Sequence, residues 1–187
     1  MMALEKEAKI KVDDLEPVRK KLAQLNARRA SAELETNFFF DRADGMLRKA
    51  DKGLRIRRAK QKSGKERCTV TMKGPLVPGK LKSRDEIQFT IDDPKATRQL
   101  FENLGFALTL SFQKRRETWK FRGCEVALDQ LPRLGHFVEI EGNSAKKIMS
   151  VRRALGLSNR PLISAGYVSM LARYLKAHGL KDRHIRF

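Results

Sequence analysis

Several absences narrow the field before any motif is read. No apolar run approaches the roughly 20 residues that cross a bilayer, and the first residues are too charged for a signal peptide, so neither a membrane span nor secretion is expected. Cysteine is scarce. Cys68 and Cys124 stand in strand-like stretches without metal-ligand spacing, which suits small core side chains in a reduced, cytoplasmic setting. Zinc-finger spacing, a Walker P-loop, GxGxxG and an internal repeat are all missing, which removes the commonest nucleotide cradles. Acidic residues are in short supply: 22 Asp and Glu face 41 Lys and Arg, a formal charge of +19. That surplus calls for a polyanionic partner, whether nucleic acid, polyphosphate, a nucleotide or an acidic surface. The 187 residues are expected to form one domain over 1–180, followed by a basic, frayed tail at 181–187.

What is present is alternation. In Leu4 to Val12 the odd positions Glu5, Glu7, Lys9 and Lys11 are all charged, and the even positions are mostly apolar. A strand puts alternate side chains on opposite faces, so those four charges share one side. The pattern recurs in Leu54–Ala59 with Arg55 and Arg57, in Arg67–Lys73 with Lys73, and in Ser83–Ile91 with Arg84, Glu86 and Gln88. It returns in Leu108–Phe121 with Lys114 and Arg116, in Cys124–Leu128 with Asp129 at its end, and in Gly135–Glu141 with Glu139 and Glu141. Asn37–Asp41 and Met46–Lys49 read as two further short strands, and Gly74–Lys82, with two prolines, as a mobile loop. A 3.6-residue period marks helices after Asp13–Asp14, from Ser144 through Leu155, and around Val168, Leu171 and Leu175, and Asp92-Asp93-Pro94 starts another that runs to about Leu104 and ends at Gly105. The count of about eight hairpin-linked strands predicts an α+β fold, with the antiparallel sheet closed into a barrel able to enclose a small ligand.

The charged faces would then line one interior. Glu5, Glu7, Glu139 and Glu141 form two Glu-x-Glu pairs, each with both carboxylates on one face. Converging carboxylates suit magnesium or manganese, and alternate Arg and Lys suit phosphate oxygens. Two plainer alternatives stand beside this one: solvated surface charges, and an open nucleic-acid face. The second lacks interleaved aromatics and gains nothing from the paired acids.

Glu5-Lys6-Glu7-Ala8-Lys9 resembles the ExExK signature of the CYTH superfamily, the triphosphate tunnel metalloenzymes. The likeness continues in order through FFD at Phe39–Asp41, LRIR at Leu54–Arg57, TMKGP at Thr71–Pro75 and SRDE at Ser83–Glu86. QKRRE at Gln113–Glu117, ALD at Ala127–Asp129 and LGHFVEIEG at Leu134–Gly142 complete it, with the class IV adenylyl cyclase and thiamine-triphosphatase branch the nearest in look. The resemblance implies a closed eight-stranded tunnel, Mg2+ or Mn2+, and a triphosphate-bearing substrate: inorganic triphosphate, ATP or thiamine triphosphate. It implies Glu5, Glu7, Asp129, Glu139 and Glu141 as metal ligands, and Glu5, Glu7, Lys9 and Asp129 as the catalytic set. Lys9, Lys11, Arg55, Arg57, Lys73, Arg84, Glu86, Lys114 and Arg116 would hold the substrate. Gln88 departs from the family's frequent acid, Asn37 from Asp and Phe39 from Tyr, and Gln88 weakens a second metal through that strand. Triphosphate hydrolysis leads; conversion of ATP to cyclic AMP and pyrophosphate is the alternative, and a non-catalytic polyphosphate or nucleic-acid module the third. A basic surface contact with nucleic acid and a homodimer complete the expectations.

Overall fold

A computed structural model describes residues 3–79 and 81–187, with side chains from Lys6 onward. In chain order the elements are β1 (Ala3–Val12), α1 (Glu16–Gln24), β2 (Arg28–Arg42), α2 (Met46–Lys49), β3 (Gly53–Gln61), β4 (Glu66–Lys73) and β5 (Lys82–Ile91). They continue as α3 (Pro94–Asn103), β6 (Phe106–Phe121), β7 (Cys124–Leu131), β8 (Gly135–Gly142), α4 (Ala145–Ala154), α5 (Tyr167–Ala177) and β9 (His184–Ile185). The first eight strands run β2-β3-β4-β5-β1-β8-β7-β6, every pairing antiparallel, and β6 returns to β2. The expected closed eight-stranded barrel is therefore present, and closure removes the open edges that would template aggregation.

The outer faces make two apolar layers. Ala8, Ile10, Val126, Leu128, Val138 and Ile140 pack beneath Leu15, Val18 and Leu22 of the α1 region and Ile148 and Val151 of α4. Phe40, Ile56 and Val70 meet Phe101 of α3, whose first turn is capped by the Asp93 carboxylate accepting from the Lys95 and Ala96 amides. At one end the inward side chains turn apolar: Phe39, Leu110, Phe112, Leu131 and Phe137 pack against Tyr167, Leu171 and Leu175, so α5 covers that end of the barrel. These layers offset the desolvation of the charged interior.

Three local expectations are corrected. Met46–Lys49 is a helical turn, not a strand: the Asp41 carboxylate accepts from the Leu47 and Arg48 amides and winds the chain there. The strand around Asn37–Asp41 is fifteen residues long, because the bulged pairing with β6 extends back to Arg28. The tail is not frayed. Strand β7 pairs only with residues 115–121 of β6, which leaves the first half of that edge open; His184 and Ile185 pair there with Ser111 and Phe112. Ile185 is 2% exposed within the cluster at the α5 end.

Candidate active site

Closure turns the alternation into rings of facing side chains. Register places Glu7 opposite Lys82 and Glu141, Lys9 opposite Glu139, and Lys73 opposite Glu86. It also stacks Arg55 between Phe39 and Thr71, and Arg116 between Glu33 and Asp129. The result is a cavity of about 1500 Å³ whose walls include Glu7, Lys9, Arg55, Arg57, Lys73, Lys82, Arg84, Glu86, Lys114, Arg116, Glu139 and Glu141. Basic walls of this kind attract a compact polyanion.

Behind the bases lies a buried layer of carboxylates. Asp129 is 0% exposed and Glu35 2%. Asp129 accepts from Arg116 Nε at 2.7 Å and Nη2 at 2.5 Å, from Lys114 Nζ at 3.2 Å and from the Tyr167 hydroxyl at 3.0 Å. Glu35 Oε2 lies 3.1 Å from Arg57 Nε and 3.4 Å from Lys114 Nζ. These acids fix the direction of three cations by charge-assisted bonds and leave the remaining donors for a ligand. The Lys9 ammonium sits 3.3 Å from Glu7, 3.2 Å from Glu139 and 4.1 Å over the Tyr167 ring, and donates to the Ala165 carbonyl. Lys82 pairs with the other Glu7 oxygen at 2.9 Å, and Arg116 bridges to Glu139.

The electrostatics follow. Burial alone would lower the Lys9 ammonium, but Glu139 and Glu7 outweigh it and the pKa rises. Burial raises the Glu139 and Glu35 carboxyls; Lys9 and Arg116 beside the one, and Arg57, Lys114 and Arg116 beside the other, overcome it and hold both below the ordinary range. Burial, then the neighbouring Arg57, pushes Arg55 down to about 9. Lys114 is lowered by burial and then by Arg116. The Glu35 and Glu139 carboxylates are thus held ionised by their cations, while Arg55 and Lys114 are held where another positive charge is unwelcome. Arg55 Nε and Asn37 Nδ2 are also buried donors without a partner. A buried donor left unpaired costs free energy that an incoming acceptor recovers.

Most expected residues meet at this cavity, with three exceptions. Lys11 is exposed, off the cavity wall, and close enough to Asp13 to influence that carboxyl. It stands where inward positions near the end of β1 face Phe137 and apolar packing, so it is set aside as a substrate contact. Asp129 lies beneath the lining, its oxygens taken by cations and Tyr167; it orients Lys114 and Arg116 rather than facing the cavity. The Glu5 side chain lies outside the described residues, although its backbone pairs with Arg84. Glu35, Lys82 and Tyr167 escaped the sequence reading. Glu35 shares the alternation of Asn37 once the strand extends back to Arg28, Lys82 ends a stretch whose prolines and glycines read as a loop, and Tyr167 sits on a helix.

Among the described residues, no three His, Cys, Asp or Glu side chains converge as one metal cluster. Glu7 and Glu139 nevertheless flank a single ammonium, and Glu7 Oε1 is buried without a hydrogen bond. Hard carboxylate oxygens at the edge of an open cavity fit a divalent ion that keeps several waters.

A family model described as the CYTH domain matches residues 3–155. A protein of Methanocaldococcus jannaschii, named as a candidate adenylate cyclase, is 30% identical over 176 residues, covering 89% of this chain and 98% of its own. A solved structure from Pyrococcus horikoshii superimposes with a TM-score of 0.80 at 25% identity, spanning 90% of this chain and 98% of that one. A Hippeastrum structure, described as a candidate adenylyl cyclase with a dominant triphosphatase activity, has a TM-score of 0.67 at 15% identity over 97% of this chain and 98% of its own.

Proposed function

This chain belongs to the CYTH domain family, and on that premise we propose that it is a divalent-metal-dependent triphosphatase releasing orthophosphate. The observation that carries the reading is a cavity whose bases are aimed by buried acids while Arg55 Nε and Asn37 Nδ2 lack acceptors. Such a wall is built for a ligand with many anionic oxygens and little else.

Arg55, Arg57, Lys73, Arg84, Lys114 and Arg116 bind the triphosphate oxygens and neutralise charge as the terminal phosphate departs. Glu7 and Glu139, with Glu5 and Glu141 on the same strands, would hold Mg2+ or Mn2+. Bound there, such an ion supplies Lewis-acid neutralisation of phosphate charge and lowers the pKa of a coordinated water. With its pKa raised, Lys9 stays an ammonium and serves as a fixed positive charge between the two Glu. Glu139, held ionised, contributes charge rather than a proton at neutral pH. Tyr167, its hydroxyl pushed well up by burial and by Asp129, remains a neutral donor that steadies that carboxylate.

Cyclisation of ATP is the second reading, favoured by the name of the 30% identical relative. Both reactions use the same walls and differ in which phosphorus meets the nucleophile. Product analysis tests them. The protein is incubated with Mg2+ or Mn2+ and, separately, inorganic triphosphate, ATP and thiamine triphosphate. Orthophosphate with the diphosphate is the expected result. Cyclic AMP with pyrophosphate would reverse the order, and binding without turnover would reduce the site to a polyanion receptor.

A further inference from the structure

We propose that Asp51, in the turn between α2 and β3, is a positioning residue that presents the Arg84 guanidinium to the triphosphate as a two-pronged donor. The inference rests on the triphosphate reading above. Four hydrogen bonds carry it. Arg84 Nη1 donates to the Asp51 carbonyl at 2.8 Å and to the Gly74 carbonyl at 2.9 Å, and Nη2 donates to Asp51 Oδ1 at 2.9 Å. The other carboxylate oxygen, Oδ2, accepts from the Leu76 amide at 2.7 Å. One carboxylate thereby ties β5 to the turn before β3 and to the connection between β4 and β5. A guanidinium carries five N–H donors in a rigid fork. Asp51 and Gly74 occupy both donors on Nη1 and one on Nη2. Nε–H and the second Nη2–H remain, neighbouring donors that can hold two oxygens of one phosphate. Arg84 and Asp51 both line the large cavity.

The turn itself has no need of a carboxylate. Asp51 follows the helical turn of α2 with φ 52°, a left-handed position where glycine is the usual residue. Aspartate tolerates that region, but glycine suits it better and brings no side chain. Stability is not the reason either: the Asp51 side chain is 53% exposed, and an ion pair so open to water adds little. Simple electrostatics even opposes the residue, since a negative charge on the wall of an anion site repels the ligand. What the carboxylate supplies is direction. It does for Arg84, from the solvent side, what Asp129 does for Arg116 and Glu35 for Arg57 in the buried layer.

The test is calorimetric titration of the full chain with inorganic triphosphate, once with EDTA and once with Mg2+. Asp51→Gly removes the carboxylate and eases the left-handed turn, so its melting temperature is expected to match wild type. By charge alone this variant would bind triphosphate more tightly; positioning predicts binding about tenfold weaker. Asp51→Asn keeps an acceptor oxygen and suits the same turn, and is expected to hold affinity within about threefold of wild type. Arg84→Ala is expected to weaken binding at least as much as Asp51→Gly. In an Arg84→Ala background, Asp51→Gly is expected to change affinity by less than about twofold, because the carboxylate then has nothing to aim. Asp51→Gly that binds as tightly as wild type, or tighter, overturns the proposal. A full further loss on top of Arg84→Ala overturns it too, because Asp51 would then act without Arg84. Wild-type protein that binds inorganic triphosphate under neither condition overturns the triphosphate reading itself, whereas wild-type binding with additive losses overturns the role of Asp51 alone.

Discussion

Glu7 and Asp129 are both buried carboxylates with cationic partners, yet their removal is expected to register in different measurements. Glu7 faces the cavity, and when it is replaced by glutamine Lys9 keeps Glu139 as a partner. Glu7→Gln is therefore expected to lower kcat/KM by about 100-fold or more, the scale on which positioned electrostatic groups act, with a melting temperature close to wild type. Steady-state kinetics alongside scanning calorimetry check both halves. Asp129 is fully buried and holds two cations at once; Glu35 and Glu139 stay beside Lys114 and Arg116 after its loss, but neither replaces its paired bonds, and removing one partner of a buried ion pair costs about 3–5 kcal/mol. Asp129→Asn is expected to drop the melting temperature by about 10 °C, at roughly 2–4 °C per kcal/mol in a chain of this size. An Asp129→Asn protein as stable as wild type but inactive would place that carboxylate among the groups that touch substrate.

At the scale of elements, the ninth strand is the clearest case of structure exceeding the sequence pattern. Ile185 packs with Leu110, Phe112, Leu131 and Phe137, so Ile185→Ala is expected to cost about 2–4 kcal/mol, measured by urea unfolding. A tail that is merely appended would show no change. The barrel itself was legible because Glu5 to Lys9, Arg55 and Arg57, Lys114 and Arg116, and Glu139 and Glu141 each repeat at a period of two. A period of two survives any fold that buries one face. What the period does not record was decided by particular contacts, some near in sequence and some far. Two residues, His184 and Ile185, carry no period at all, and only the unpaired edge of β6 makes them a strand. Met46–Lys49 looked extended because its helical turn is held by a carboxylate five residues upstream at Asp41. Lys11 obeyed the alternation and still missed the site, since its neighbours at that level of the barrel are apolar.

For the whole molecule, the charge of +19 and the buried network set how the protein answers pH. Glu35 and Glu139 are held low, so the stability they lend is complete above the ordinary carboxylate range and is lost as acid drives them through their folded values. Lys9 is held high, so its contribution is present below the ordinary lysine value of 10.5 and fades only as pH rises past its folded one. Between these limits the fold has a broad plateau. Arg55 and Lys114 run the other way: burial and like-charged neighbours (Arg57 and Arg116 beside Arg55, Arg116 beside Lys114) disfavour their charged forms despite Glu35 and, for Lys114, Asp129 and Glu139. A bound triphosphate reverses that balance by placing negative charge against both. Binding at about one pH unit either side of 9 is therefore expected to draw in protons, because Arg55 stands at about 9 without the ligand and rises when it is bound. Calorimetric titrations in buffers of different ionisation enthalpy measure the uptake. The ligand's own ionisation is common to wild type and Arg55→Gln, so the difference between them isolates the protein's share. Uptake near pH 9 that shrinks in Arg55→Gln and vanishes from the difference at pH 7, where Arg55 is already charged, is the expected result. Identical proton counts in the two proteins at pH 9 would mean that Arg55 keeps its proton at that pH without the ligand, as a guanidinium ordinarily does; triphosphate affinity unchanged in Arg55→Gln would withdraw the β3 wall from the binding site.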